Sequence, residues 1–118
     1  MAEVVNFLID QGSTFTYDYI YMVNEVVVDI TNYDARGKIK SKATDTTAKA
    51  TFTCTIPDGT NGTIHIVLPA ADSSAVALRG TSYLDTTDFY YDIELYNISD
   101  EVIRVLNGKV TMSPEITK

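Results

Sequence analysis

The chain has 118 residues, 45% of them hydrophobic, and a net charge of −7, the size and apolar content of one domain with an ordinary core. No apolar run approaches the ~20 residues of a membrane-spanning helix, and the acidic balance disfavours both a nucleic-acid-binding face and adhesion to anionic membranes. A single cysteine, Cys54, and a single histidine, His65, allow neither an internal disulfide nor a closed zinc site.

Abundant Thr, Val, Ile and Tyr favour pleated surfaces, so an all-β chain is expected. Residues 4–9 are mostly apolar, with Val5, Phe7 and Ile9 on one parity, and Gln11-Gly12-Ser13 breaks the run. From 13 to 23, Phe15, Tyr17, Tyr19, Tyr21 and Val23 share one face of a predicted strand. Asn24-Glu25 is a turn, after which Val26-Val27-Val28 returns as a short strand. Tyr33, Ala35, Gly37 and Ile39 alternate with Asp34, Arg36, Lys38 and Lys40, a half-buried strand whose cations, continued by Lys42, occupy a strand face. The polar residues 41–46 form a loop.

The clearest alternation covers 47–56, with Ala48, Ala50, Phe52, Cys54 and Ile56 on one face and Lys49 and threonines on the other. Asp58-Gly59 and Asn61-Gly62 are turn dipeptides, and Ile64, Ile66 and Leu68 carry the returning strand. The Ala-rich stretch 69–80 predicts a one- or two-turn crossover helix near 70–79, kept short by Pro69 and its serines, with Gly80 as a left-handed terminus. Phe89, Tyr91, Ile93 and Leu95 then alternate with Tyr90, Asp92, Glu94 and Tyr96, and 97–101 turn the chain. In the last strand the inward parity switches from Ile103 and Val105 to Leu106, Gly108, Val110 and Met112, the mark of a β-bulge near Val105-Leu106. Seven or eight mostly antiparallel strands, about 8–12 residues apart, fit one β-sandwich over 1–118.

Chemistry-bearing motifs are sparse. His65 lies on the outward parity with no nucleophile in a Gly-rich elbow to serve, and reads as a surface strand residue. Cys54 reads as core packing. Asp85, Asp88, Asp92 and Glu94 cluster at one strand start, but their spacing matches no calcium loop, and a solvated strand face accounts for them. The stripes Tyr17, Tyr19, Tyr21 and Tyr90, Tyr96, with Tyr83 close by, leave three readings open: core lining, subunit interface or ligand platform. No catalytic residue, cofactor site or metal site is expected.

The run Asn6-Phe7-Leu8-Ile9-Asp10-Gln11-Gly12-Ser13-Thr14-Phe15 resembles the opening of a widespread group of small bacteriophage structural domains. Val28 to Lys40, Gly62 to Leu68 with Ala70-Ala71-Asp72, the closing pair Tyr91–Leu95 and Val102–Val110, and the tail Pro114-Glu115-Ile116-Thr117 follow that group's order of elements. Asn32 stands where the group usually has Gly; Asn tolerates the left-handed conformation, so the turn is expected to survive. The group is in turn similar to the amino-terminal Ig-like sandwich of phage baseplate upper proteins and fibre adaptors.

The resemblance implies a non-enzymatic structural subunit of a tailed-phage virion, assembled in the host bacterial cytoplasm; the opening residues lack the basic and apolar regions of a signal peptide. With no fibre module after Lys118, an adaptor at the baseplate or fibre attachment is expected rather than a direct receptor binder. The alternatives are a capsid decoration protein on the head and, from a different class, a carbohydrate-binding module using Tyr90, Tyr96 and the Asp88/Asp92 group. The implied partners are other virion proteins (baseplate, fibre or capsid subunits) and further copies of the chain, with no nucleic acid and no membrane. Because chain ends can reach across to a neighbour, the interface is expected at Val4, Val5, Phe7, Tyr19, Tyr21, Ile116 and Thr117. Removing 1–8 or 113–118 is expected to block incorporation and leave a folded monomer.

Overall fold

The structure is a computed structural model, and it describes residues 2–42, 44–76, 78 and 84–115. The chain forms β1 (Glu3–Val4), β2 (Phe7–Asp10), β3 (Phe15–Ile20), β4 (Met22–Val23), β5 (Val26–Val27), β6 (Asp34–Lys40), β7 (Ala50–Asp58), a 3-10 turn (Gly59–Asn61), β8 (Thr63–Leu68), α1 (Ala70–Ser74), β9 (Thr87–Tyr96) and β10 (Val102–Ser113). The all-β, sandwich-like expectation with one short crossover helix is met.

One sheet carries nearly every strand, in the order β1–β10–β9–β6–β7–β8–β3, with β2 continuing the β1 edge alongside β10. Only β1 and β2 run parallel to their neighbour; the other ladders are antiparallel. Curling comes from β7, which serves two partners in succession. Its start pairs with β6 (Ala50↔Ile39 to Phe52↔Gly37), and its remainder pairs with β8 (Thr53↔Val67 to Asp58↔Thr63). A strand shared in this way bends the sheet, as a corner does in an orthogonal sandwich. The β10–β9–β6 layer therefore faces the β8–β3 layer across one core.

Alternation fills that core. Ile64, Ile66 and Leu68 of β8 and Ile93 and Leu95 of β9 are fully buried, as are Val110 and Met112 of β10; each contributes about 1.5–3 kcal/mol by leaving water. The expected bulge is present: Arg104 pairs with Glu94 and Leu106 with Ile93, so Val105 is the extra residue. Both Val105 and Leu106 are buried, which is the physical content of the parity switch.

The two ends of the sheet meet through aromatic rings. Phe7 of β2 lies 4.8 Å from Phe15 and 5.0 Å from Tyr17 on β3, ring centre to ring centre. It also stacks on Tyr91 of β9 at 4.5 Å with 20° between planes. The Gln11-Gly12-Ser13 turn between β2 and β3 is tied from both sides. Gln11 Nε2 donates to the Val76 carbonyl at 2.8 Å, and Gln11 Oε1 accepts from the Glu115 amide at 3.0 Å. The buried Ser73 hydroxyl donates to the Ser13 carbonyl and accepts from the Gly12 amide, both at 3.0 Å.

Three local expectations are corrected, and the short helix is placed within its expected range. The predicted 13–23 strand ends at Ile20, because the Tyr21 amide donates to the Gly62 carbonyl and the Tyr21 carbonyl accepts from the Val28 amide. Met22–Val23 and Val26–Val27 instead make a separate hairpin around Asn24 and Glu25, both left-handed (φ 52 and 67), the backbone of a type I′ turn. The strand predicted at 47–56 runs from Ala50 to Asp58. The helix predicted near 70–79 spans Ala70–Ser74, with no side-chain cap at Pro69; 77, 79 and the proposed terminator Gly80 lie outside the described residues. Asn32 is not left-handed; the turn is closed instead by the Tyr33 amide donating to the Ile30 carbonyl at 3.0 Å.

Phe7→Ala removes the ring that joins the two ends of the sheet and is expected to cost about 3–5 kcal/mol. Gln11→Ala, which strands a carbonyl and an amide, is expected to cost about 1–3 kcal/mol. Urea denaturation of each variant measures both; a Phe7→Ala cost no larger than that of an exposed-residue control would show that the seam is not closed by this ring.

Candidate interaction surfaces

The predicted amino-terminal interface divides into an outer and an inner half. Val4 is 69% exposed and Leu8, which the sequence reading passed over, 68% exposed on the free side of β1 and β2. Val5 is half-buried: its amide donates to the Asn107 carbonyl at 3.0 Å and its carbonyl accepts the Tyr91 hydroxyl at 2.6 Å. Gly108 lies under this contact, since a Cβ there would sit 2.2 Å from the Val5 oxygen. Phe7 is buried in the core and offers no surface to a partner, because β3 curls round to cover it.

Tyr19 and Tyr21 are half-buried and pack against the core, as the core-lining reading of that stripe held. Tyr19 donates a long 3.4 Å hydrogen bond to Glu3. Burial and then the Glu3 charge push its phenol up from 10.0 to about 12. Ile116 and Thr117 lie outside the described residues. Removing residues 1–8 deletes Phe7, so that truncation is not expected to leave a folded monomer. Removing 113–118 takes away the Glu115 amide that holds Gln11.

The surface that sequence reasoning missed is the β4–β5 hairpin. Met22, Val23, Val26 and Val27 are all exposed, by 40–65%, and neighbouring Ile20 is exposed as well. A two-stranded ribbon with apolar residues on both faces is marginal in water without cover, and contiguous exposed apolar surface marks contact sites. Its sequence signal was available: apolar residues occupy both parities on either side of Asn24-Glu25, instead of alternating.

A second surface lies on the outer face of β6, β9 and β10, where register aligns side chains in rows. Arg36, Glu94 and Arg104 form one row, Lys38, Asp92 and Asn107 the next, and Lys40, Tyr90 and Lys109 the third. Arg36 pairs with Glu94 at 3.0 Å and lies 4.6 Å over the Tyr96 ring. Arg104 reaches Asp92 at 3.5 Å and Lys109 reaches Asp88 at 3.8 Å, while Asp88 also accepts from the Thr111 hydroxyl at 2.9 Å. Desolvation and then the Glu94 charge raise the Asp92 carboxyl above its ordinary value, with Arg104 opposing. Asp88, Asp92 and Glu94 of the predicted acidic cluster thus belong to a cross-strand charge ladder, each of whose pairs is worth a few tenths of a kcal/mol to about 1 kcal/mol.

His65 stands on the outer face as expected, its Nδ1 2.5 Å from Asp18 Oδ1 directly across the β3–β8 ladder. Cys54 packs against the core, and burial pushes its thiol up from 9.0 to about 11, the opposite of what an activated thiolate needs. Among the described residues no group of His, Cys, Asp and Glu is placed to hold a metal ion. No helix among them is long and apolar enough to cross a membrane.

No protein-family model matches the chain, and no curated protein matches it in sequence.

The raised values of Cys54 and Tyr19 give stability a definite alkaline sign. Once pH passes 9.0 the unfolded chain ionises its thiol, whereas the folded thiol holds its proton to about 11; Tyr19 repeats this from 10.0 to about 12. Their combined contribution is complete below 9.0 and is lost as pH rises through that window. Denaturation midpoints across the window are expected to fall, and Cys54→Ala to flatten the lower part of the fall. A thiol-reactive dye is expected to label Cys54 slowly in the folded chain and fast in denaturant; equal rates would contradict the burial.

Proposed function

We propose that the chain is a non-enzymatic structural subunit of a tailed-phage particle, an adaptor at the baseplate or fibre attachment that acts by protein–protein contact in several symmetric copies. The observation that carries the reading is where the apolar surface lies. Val4 and Leu8 on one edge and Met22, Val23, Val26 and Val27 on the hairpin are turned outward, as a subunit that buries surface against neighbours requires. The ordered resemblance of the sequence to small phage structural domains supplies the particle. Capsid decoration uses the same kind of surface and differs in location and copy number.

A carbohydrate-binding module is less well supported. Tyr96 is covered by the Arg36 guanidinium, which leaves Tyr90, 50% exposed, as the free aromatic of the predicted pair.

Mass spectrometry of purified virions made from the encoding genome tests the reading. The chain is expected in the particle at a copy number set by tail symmetry; shell-like numbers would favour decoration, and absence from particles would refute both. Leu8→Ser combined with Val26→Ser is expected to change stability by less than about 1 kcal/mol, being exposed positions, and to reduce incorporation strongly. Normal incorporation of that variant would move the interface elsewhere.

A further inference from the structure

A cationic groove of about 1000 Å³ lies along the charged outer face. Although the chain is strongly acidic overall, Arg36, Lys38, Lys40, Lys42, Arg104 and Lys109, six of its nine cations, line the groove, against two acidic residues, Asp92 and Glu94. Those two are matched by Arg36 and Arg104. Lys38, Lys40 and Lys42 form no ion pair with another described residue. In the Lys40–Tyr90–Lys109 row no carboxylate separates the two ammonium groups, and the half-exposed Tyr90 ring lies between them. Charge pairing accounts for the arginines of this face and for Lys109, which reaches Asp88, and leaves Lys38, Lys40 and Lys42 without an ion pair to another described residue.

We propose that this groove is the docking site for an acidic segment of a neighbouring protein, bound in extended conformation with carboxylates at alternate positions along the lysine row. Lys38 and Lys40 lie two residues apart on β6, so their side chains emerge about 7 Å apart on one face, the repeat that alternate side chains of an extended peptide present in return. The segment's carboxylates meet Lys38, Lys40 and Lys42, and its apolar or β-branched side chains lie on Tyr90, a residue type that anchors protein interfaces. A polyphosphate backbone fits less well. Its unbroken line of charge would run over Asp92 and Glu94 in the middle of the groove and Asp88 beyond Tyr90, whereas a peptide can place neutral or basic residues there. The inference gives the chemistry of the partner and relies on the proposed function only for where that partner comes from.

Fluorescence anisotropy of the whole chain with a labelled synthetic peptide alternating Thr and Glu tests it, with a single-stranded oligothymidylate of similar length as the competing probe. The peptide is expected to bind, to weaken as salt rises, and to lose about tenfold or more in affinity in Lys38→Gln/Lys40→Gln. Lys49→Gln removes the same charge from outside the groove and is expected to leave binding unchanged. Thermal melting verifies that the variants fold; should the double variant not fold, Lys42→Gln and Tyr90→Ala take its place and are each expected to weaken binding. A peptide that does not bind, an equal loss in Lys49→Gln, or oligothymidylate binding as tightly with the same lysine dependence would each overturn the proposal. Virions that contain the chain while the peptide fails to bind would remove the groove's partner alone; a bound peptide with the chain absent from virions would remove the virion role alone.

Discussion

The contact of Phe7 with Phe15 and Tyr17 is the constraint on which the rest of the molecule depends. β2 and β3 lie at opposite ends of the strand order, yet the chain passes from one to the other through only four residues, Gln11 to Thr14. That short connection, residues 11–14, requires the ends of the sheet to come together. Rings at 4.8 and 5.0 Å join them, within the range where aromatic pairs add about 0.5–1.5 kcal/mol beyond the area they bury. β7 supplies the bend that makes the approach possible, and Gln11 and Ser73 hold the turn. Each part presupposes the others: without the shared strand the rings could not meet, and without the rings the bend would leave a core open on one side.

Closure decides where function can reside. Once the inner faces of both layers are packed, the candidate contact surfaces among the described residues are the β1–β2 edge, the β4–β5 hairpin and the outer face of β6, β9 and β10. The first two are apolar and the third is charged. The hairpin projects because a hydrogen bond from the Tyr21 amide to the Gly62 carbonyl and one from the Val28 amide to the Tyr21 carbonyl turn the chain out of the sheet at Tyr21. Gly62 (φ 68) itself caps the 3-10 turn, and a Cβ there would lie 2.8 Å from the Val28 oxygen. A single tight corner therefore both ends β3 and presents the apolar ribbon.

Much of this was legible in the sequence wherever one strand face is wet. The alternations around Phe52 and through 89–96 match the burial of β7 and β9, and the parity switch located the bulge at Val105. Legibility ended where a long-range partner overrides a local pattern. Period-two alternation continues unbroken through Tyr21, so nothing local marks the end of β3; the donor and acceptor that divert it come from 28 and 62. Phe7 shares its parity with Val5 and Ile9, but whether that parity is core or rim depends on β3 curling round to cover it. The cations of β6 were readable as a strand face, whereas Arg104 and Lys109 join them only through the register across β9, which no single-strand pattern contains. The αL role given to Asn32 failed for a related reason: a turn closed by Tyr33 and Ile30 makes no demand on a left-handed residue.

The most direct test of the account is nuclear Overhauser spectroscopy of the ring protons of Phe7 in the folded chain. Closure of the sheet through side chains predicts strong cross-peaks from the Phe7 ring to the rings of both Phe15 and Tyr17, together with peaks to the stacked Tyr91. Cross-peaks to Tyr91 and β10 alone, with none to β3, would mean that the two ends of the sheet do not meet, and would contradict the fold on which every surface described above depends.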